Sequence, residues 1–193
     1  MHFIIYGPEG SGKGTQAKLL AEKLHLKVYT SGDLVREAAL KDKGLIGKVC
    51  RKALNEGKYV ADKSMFVLWR NKLKTEEAKK GIILDGFPRN FNQAEFLFKN
   101  IDQYGYTIDK VIYLELTDAE AIERLVKRHR KLFEGSNINH DDPERVKKRL
   151  TVYRKKEKKL LSFFKKKQLI LEINALGTTD EVFVRIISAL QVD

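Results

Sequence analysis

Short apolar runs alternate along the chain with longer stretches in which apolar residues recur every three or four positions. Five of the runs have the length and composition of buried strands, and they cover residues 3–6, 28–29, 81–84, 110–116 and 168–173. The stretches between them have the periodicity of amphipathic helices. Strands that alternate with helices in this way predict an α/β fold with a parallel sheet and helices on both faces. Neither an internal repeat nor a low-complexity linker interrupts residues 1–193, which predicts a single domain.

Polar residues that favour helix N-termini stand in front of most of the predicted helices. The expected caps are the turn 30–33, Asp62, the capping box Thr117–Glu120, Asp142 followed by Pro143, and the capping box Thr178–Glu181. One short helix is predicted directly after the turn 30–33, through Leu34, Val35 and Ala38, and a second is predicted over 45–54. Two short helices therefore fall within residues 30–60, which we expect to form a compact excursion from the sheet.

A glycine-rich stretch from Gly7 to Thr15 lies between the first predicted strand and the first predicted helix. Glycines allow consecutive backbone N–H groups to converge on one point, and the positive end of the helix dipole faces the same point. Lys13 adds a mobile cation, and Thr15 adds a hydroxyl that can orient Mg²⁺ or a phosphate oxygen. The strand–loop–helix context predicts a phosphate-binding loop rather than a purely structural turn.

A carboxylate and an arginine follow the strand predicted at 81–84. Asp85 stands at the carboxyl end of this strand, where α/β sheets place carboxylates that order magnesium. Arg89 follows Asp85 by only four residues, and its guanidinium could bind a phosphate at the same place through two N–H groups. Taken alone, the same residues favour the simpler interpretation of an aspartate cap beside a surface arginine.

Four arginines flank an aperiodic loop of about a dozen residues that ends near His140. Arg124 and Arg128 are one turn apart on the helix before the loop, and Arg145 and Arg149 are one turn apart on the helix after it. Single arginines are usually solvated surface residues. Two pairs beside one flexible loop favour a phosphate site beneath a lid.

The formal net charge of +12 changes the list of possible partners. It suggests either a nucleic-acid or membrane surface, or a small polyanionic substrate combined with a lysine-rich solvated surface. Much of the excess lies at 155–167, where lysines alternate with apolar residues as on the wet face of an amphipathic helix. Since no nucleic-acid-binding motif accompanies it, we expect neither a nucleic-acid nor a membrane partner.

The single cysteine excludes a disulfide framework and a four-cysteine zinc site, and Cys50 is expected to be a small buried apolar residue. The chain begins with a predicted strand, and it contains no apolar run of about 18 residues. A cytoplasmic protein is the expectation that follows.

These motifs together resemble those of the adenylate kinases, within the nucleoside monophosphate kinase family, over nearly the whole chain. The matching segments are 10–16, 31–36, 85–93, 124–128, the pair Asp141–Asp142, and 148–150. The resemblance implies a P-loop kinase with a five-stranded parallel core (1–29, 61–128 and 141–193). It also implies a small helical insert that binds the nucleoside monophosphate (30–60) and a short lid (129–140). Mg²⁺ with ATP is the implied cofactor, zinc is not expected, and the expected state is a monomer.

The resemblance assigns one set of residues to ATP and a second set to AMP. The ATP set is Gly10, Ser11, Gly12, Lys13, Gly14, Thr15, Arg124, Arg128 and Gly177. The AMP set is Ser31, Arg36, Lys58, Tyr59, Val60, Gly86, Phe87, Pro88, Arg89, Gln93 and Arg149. The implied catalytic residues are Lys13, Asp85, Arg89, Arg128 and Arg149, and Asp85 would order Mg²⁺ through water. Gln93, with its amide donor and acceptor, favours AMP over a pyrimidine nucleotide.

Two departures from the family pattern affect the ATP side. Glu9 replaces the usual proline, and we expect its carboxylate to point away from the phosphate site. Asn139 replaces the usual lid arginine; either Arg130 supplies the missing charge, or the enzyme functions with fewer positive charges.

The implied activity is reversible transfer from MgATP to AMP with ADP as the product. The alternatives are a kinase for UMP, CMP or GMP, a nucleic-acid-stimulated NTPase, and a nucleotide-binding regulator without catalytic turnover.

Overall fold

The computed structural model describes residues 1–56, 58–129, 131 and 139–192. In these residues five strands form one parallel sheet, in the order β2-β3-β1-β4-β5. The strands are β1 (His2–Tyr6), β2 (Lys27–Thr30), β3 (Ile82–Asp85), β4 (Lys110–Glu115) and β5 (Ile170–Asn174). The five-stranded parallel sheet predicted for the chain is confirmed.

Nine helices accompany the sheet in the described part of the chain. They are α1 (Lys13–Leu24), α2 (Ser31–Lys41), α3 (Leu45–Asn55), α4 (Asp62–Leu73), α5 (Glu76–Lys80), α6 (Phe91–Gln103), α7 (Asp118–Arg128), α8 (Pro143–Lys166) and α9 (Thr179–Leu190). None of the helices in these ranges is both long and apolar enough to cross a membrane.

Alternate strand residues enter two separate cores, one on each face of the sheet. Ile4 and Leu84 face a core that includes buried residues of α2, α4 and α6. Ile5 and Ile83 face the second core, which includes buried residues of α1, α7 and α9. Burial of both faces explains the continuous apolar runs, and it confirms helices on both sides.

The central strand β1 sets the position of the loops that follow the strands. β1 pairs with β3 on one side and with β4 on the other, so that Ile5 lies opposite Asp85 and Tyr6 opposite Tyr113. Because all the strands are parallel, the glycine-rich loop and Asp85 meet at the same sheet edge. The connection after β1 leads to β2 on one side of it, and the connection after β3 crosses to β4 on the other side, which makes this edge a topological switch point where α/β proteins bind ligands.

The predicted N-caps are confirmed except at Asp62, and in the predicted capping box Thr117–Glu120 the Glu120 carboxylate pairs with Arg124 instead. Thr30, Thr117, Asp142 and Thr178 each accept a backbone N–H bond, and the capping box of α9 is complete. Asp62 is the exception, because it is the first residue of α4 rather than its cap. Its carboxylate accepts hydrogen bonds from Asn90 and Gln93, as described below.

The short helices α2 and α3 lie within the predicted excursion and pack on each other. A Cβ atom on Gly47 would lie 1.8 Å from the carbonyl oxygen of Asp42, so only glycine permits this approach. Cys50 is on the buried face of α3 and is fully buried, as predicted. Most of the predicted lid, including Arg130, lies outside the described residues; of the rest, Lys131 and Asn139 form an antiparallel bridge.

Candidate functional site

The loop between β1 and α1 has the backbone geometry that its glycines predict. Gly10 and Gly12 have φ angles of 88° and 83°, in the left-handed region that favours glycine. A Cβ atom on Gly10 would lie 3.0 Å from the carbonyl oxygen of Ala121, so this glycine also permits close packing on α7. Gly12 is the N-cap of α1 and has no side chain to occupy the first-turn N–H groups. These amides can therefore bind an anion.

Lys13 lies over this loop in a partly buried position. Its Nζ donates to the carbonyl oxygen of Pro8 at 2.7 Å. Burial lowers the pKa of Lys13 to about 8, although the carboxylates of Asp85 and Glu9 oppose the shift. A cation that is largely removed from solvent and lies beside an anion-binding loop is well suited to bind phosphate.

Asp85 ends β3 on the other side of the loop. Burial raises the pKa of its carboxyl group, and the positive charges of Lys13 and Arg89 act against that shift. A Cβ atom on Gly14 would lie 3.5 Å from Oδ2 of Asp85, so the carboxylate faces the first turn of α1. An oxygen ligand beside a phosphate loop fits Mg²⁺ that is bound through water. The part of the chain that the structure describes contains no cluster of three or more His, Cys, Asp or Glu suited to a metal.

The prediction that Glu9 points away from the site is wrong. Oε2 of Glu9 accepts hydrogen bonds from Nε and Nη2 of Arg149, at 3.1 and 2.9 Å. Nη1 of Arg149 donates to the carbonyl oxygen of His140 at 2.7 Å. The ion pair outweighs the opposing effect of burial and lowers the pKa of Glu9. A loop residue thus contacts the arginine that the resemblance assigns to the phosphates.

A buried carboxylate brings two of the predicted arginines together. Asp141 is fully buried and accepts two hydrogen bonds from Arg128, both at 2.8 Å. Its Oδ1 also lies 3.7 Å from Nη2 of Arg149. Arg124 instead pairs with Glu120 at 2.7 Å, and the side chain of Arg145 is exposed. The structure therefore brings Arg128 and Arg149 together at Asp141 but leaves Arg124 and Arg145 outside this group.

On the opposite side of the loop, Arg89 is fixed through its backbone and through Nε. Its N–H donates to Oε1 of Gln93 at 2.7 Å, and its Nε donates to the carbonyl oxygen of Gly86 at 2.8 Å. The guanidinium lies over the ring of Tyr59, 5.0 Å from the ring centre. Gln93 also donates through Nε2 to Asp62 at 2.6 Å and is buried. In this arrangement both ends of the Gln93 amide are already engaged.

The other predicted AMP residues line the same region with different partners. Oγ of Ser31 donates to the carbonyl oxygen of Gly86 at 2.9 Å, and Arg36 pairs with Asp33 at 2.6 Å on the exposed face of α2. Phe87 is buried and stacks on Trp69, and a cis peptide bond joins it to Pro88. Lys58 pairs with Glu56, and Val60 is partly buried.

Near α9, the predicted adenine contact Gly177 has a left-handed φ of 99° and precedes Thr178, the N-cap of the helix. Gln16 connects this turn to the phosphate loop, since its Nε2 donates to the carbonyl oxygen of Thr179 at 2.9 Å. We did not single out Gln16 for such a role from the sequence. A buried amide one residue after Thr15, on the apolar face of α1, is the signal that could have revealed it.

These features together define a kinase of the P-loop class: a parallel sheet, a glycine-rich loop before α1, Lys13 beside that loop, and arginines from the β3–α6 connection and from α7 and α8. The family model described as adenylate kinase matches residues 5–169. The adenylate kinase of Thermobifida fusca is 36% identical over 191 residues, which covers 99% of this chain and 98% of the relative. Those of Bacteroides thetaiotaomicron and Methanosarcina barkeri are 33% and 32% identical over at least 98% of both chains. This chain belongs to the adenylate kinase family.

Proposed function

We propose that this chain catalyses the reversible transfer of a phosphoryl group from MgATP to AMP, with two ADP molecules as the products. The observation that carries the proposal is that arginines approach the loop from two different parts of the fold. Arg149 contacts Glu9 of the loop and meets Arg128 at Asp141. Arg89 is held by the turn that follows Asp85, the carboxylate that faces the first turn of α1. A phosphate bound on the loop amides would thus have cations on both the donor and the acceptor side. Phosphoryl transfer depends mainly on such placement and on charge stabilisation.

In this proposal the donor nucleotide occupies the loop side. The amides of residues 10–15 and Lys13 bind its phosphates, while Arg128 and Arg149 neutralise the phosphate chain. Arg124 and the turn at Gly177 are assigned to the adenosine end. Support comes from the ion pair between Arg128 and Asp141, which holds that guanidinium at the end of α7.

The acceptor side is assigned to the β3–α6 connection and to the excursion 30–60. Arg89 and Arg36 bind the AMP phosphate, and the groups around Ser31, residues 58–60 and Gln93 seat the nucleoside. Gln93 must exchange one of its present hydrogen bonds in order to contact adenine. Two segments, 30–60 and the lid 129–140, close over the nucleotides and exclude water from the transferred group.

Asp85 and Thr15 are the residues that would hold Mg²⁺, the first through water. When bound, Mg²⁺ neutralises charge on the phosphate oxygens. We further propose that the enzyme acts on free nucleotides as a cytoplasmic monomer, without a nucleic-acid or membrane partner. The exposure of the lysines at 155–159 and 165–167 supports a solvated surface there.

The direct test is incubation of the purified protein with ADP and Mg²⁺ alone. Equal amounts of ATP and AMP should appear, and Lys13→Met should abolish their formation. An acceptor panel of AMP, GMP, UMP and CMP with ATP then separates the family's possible substrates, and AMP should be preferred. Absence of ATP and AMP, or ATP hydrolysis that only RNA or DNA stimulates, would contradict the proposal.

A further inference from the structure

The contact between Glu9 and Arg149 places a negative charge inside the loop assigned to a polyanion. Glu9 keeps 34% of its side-chain surface exposed and Arg149 keeps 20%, so the pair is only partly screened by solvent. His140 adds a further basic group, since its Nε2 lies 4.0 Å from Oε2 of Glu9. The contact spans 140 residues of sequence, so it depends on the folded arrangement of the loop and α8.

The geometry of the pair determines what else Arg149 can bind. Its Nε and Nη2 both donate to Glu9, and Nη1 donates to the backbone of His140. A guanidinium has five N–H donors, and the Nε–Nη2 edge is one that can bind an oxyanion through two bonds. Glu9 occupies that edge. A phosphate oxygen that binds Arg149 through the same edge must therefore replace the carboxylate.

We propose that Glu9 determines the donor affinity of this enzyme, because the phosphate chain of the donor exchanges with the Glu9 carboxylate for the Nε–Nη2 edge of Arg149. This inference rests on the proposed function. The donor gains Arg149 only by displacing Glu9, and the displaced carboxylate then lies beside a like-charged phosphate chain. Both effects weaken donor binding, while Arg89 keeps its separate contacts with Gly86 and Gln93.

Neutralising Glu9 without changing its shape tests the exchange. Glu9→Gln should tighten the binding of β,γ-methylene-ATP about tenfold, because a neutral amide accepts a weaker hydrogen bond from the Arg149 guanidinium than a carboxylate does and is therefore displaced more easily. The KM for ATP should fall by a similar factor. Glu22→Gln is the matched control, because Glu22 is exposed on α1 and its replacement removes the same charge. It should leave the affinity for the analogue unchanged.

A second comparison separates exchange at Arg149 from simple repulsion. In an Arg149→Met background, Glu9→Gln should retain less than a third of its effect on analogue binding, because there is no guanidinium edge to exchange. Equal gains in both backgrounds would overturn the inference, as would unchanged or weaker binding by Glu9→Gln alone. Failure of the proposed function would look different, since the unaltered protein would then bind no analogue and convert no ADP. Calorimetric titration measures every variant, and thermal unfolding verifies that each is folded.

Discussion

Replacement of Asp62 by alanine should weaken both the fold and the acceptor site. The Asp62 carboxylate accepts from Gln93 at 2.6 Å and from Asn90 at 3.0 Å. Gln93 in turn accepts the N–H of Arg89 at 2.7 Å. Asp62 is thus the start of a hydrogen-bond chain that fixes the backbone of Arg89, the residue proposed to bind the AMP phosphate.

The size of the effect follows from the bonds that are lost. A hydrogen bond to a charged group contributes about 1.5–3 kcal/mol, and an unsatisfied buried amide adds a desolvation cost. Gln93 is only 6% exposed, so water cannot fully replace its lost acceptor. Because Asp62 itself is half-buried, we expect a total loss of about 2–4 kcal/mol in the free energy of unfolding. A misplaced Arg89 should also lower kcat/KM for AMP by roughly ten- to a hundredfold.

Urea unfolding measures the first effect, and initial rates with each nucleotide varied at a saturating concentration of the other measure the second. Asp102→Ala is the control, because it removes an exposed aspartate near the end of α6. It should change the unfolding free energy by less than about 0.5 kcal/mol. The reasoning is refuted if Asp62→Ala is equally harmless, or if the KM values for ATP and AMP rise together.

Three further predictions concern the charged residues of the site. Arg89→Ala should reduce the transfer rate by roughly 10³-fold with normal unfolding, and a near-normal rate would remove Arg89 from the site. Lys13→Met should stabilise the nucleotide-free protein at pH 7 by about 1–2 kcal/mol, a value reduced for partial exposure. Since the pKa of Lys13 is lowered to about 8 in the folded protein, this gain should shrink between pH 8 and the ordinary lysine pKa of 10.5; a gain independent of pH would exclude a charged Lys13 as its source. Asp141→Asn should cost about 2–3 kcal/mol of unfolding free energy in urea titrations, because it weakens a two-bond ion pair with Arg128, and an unchanged midpoint would contradict this.

The local sequence pattern was sufficient to predict the sheet and the phosphate-binding loop. A five-residue apolar strand, β1, runs into glycines with left-handed φ, and the helix after them starts at Lys13. Each of these features depends on residues that are neighbours in sequence. The short helix α5 was missed because its sequence, Glu76–Lys80, is almost entirely charged and has no apolar periodicity.

The two errors at the site concern carboxylates whose partners are distant in sequence. Asp62 has the preference of a helix cap, but its hydrogen-bond partners lie 28 and 31 residues away. Glu9 was expected to avoid a phosphate site, whereas Arg149, 140 residues away, provides its counter-charge. Propensity scales and local motifs contain no information about such contacts, which exist only after the sheet has assembled.

The central claim is that two nucleotides meet end to end over the loop, between Arg89 and the pair Arg128–Arg149. A crystal structure with a bisubstrate dinucleotide inhibitor, two adenosines joined by a phosphate chain, tests this claim most directly. The account predicts that the phosphate chain contacts the amides of residues 10–15, with Arg89 at the acceptor end and Arg149 separated from Glu9. A phosphate chain bound elsewhere, or one that leaves all three arginines without phosphate contacts, would contradict it.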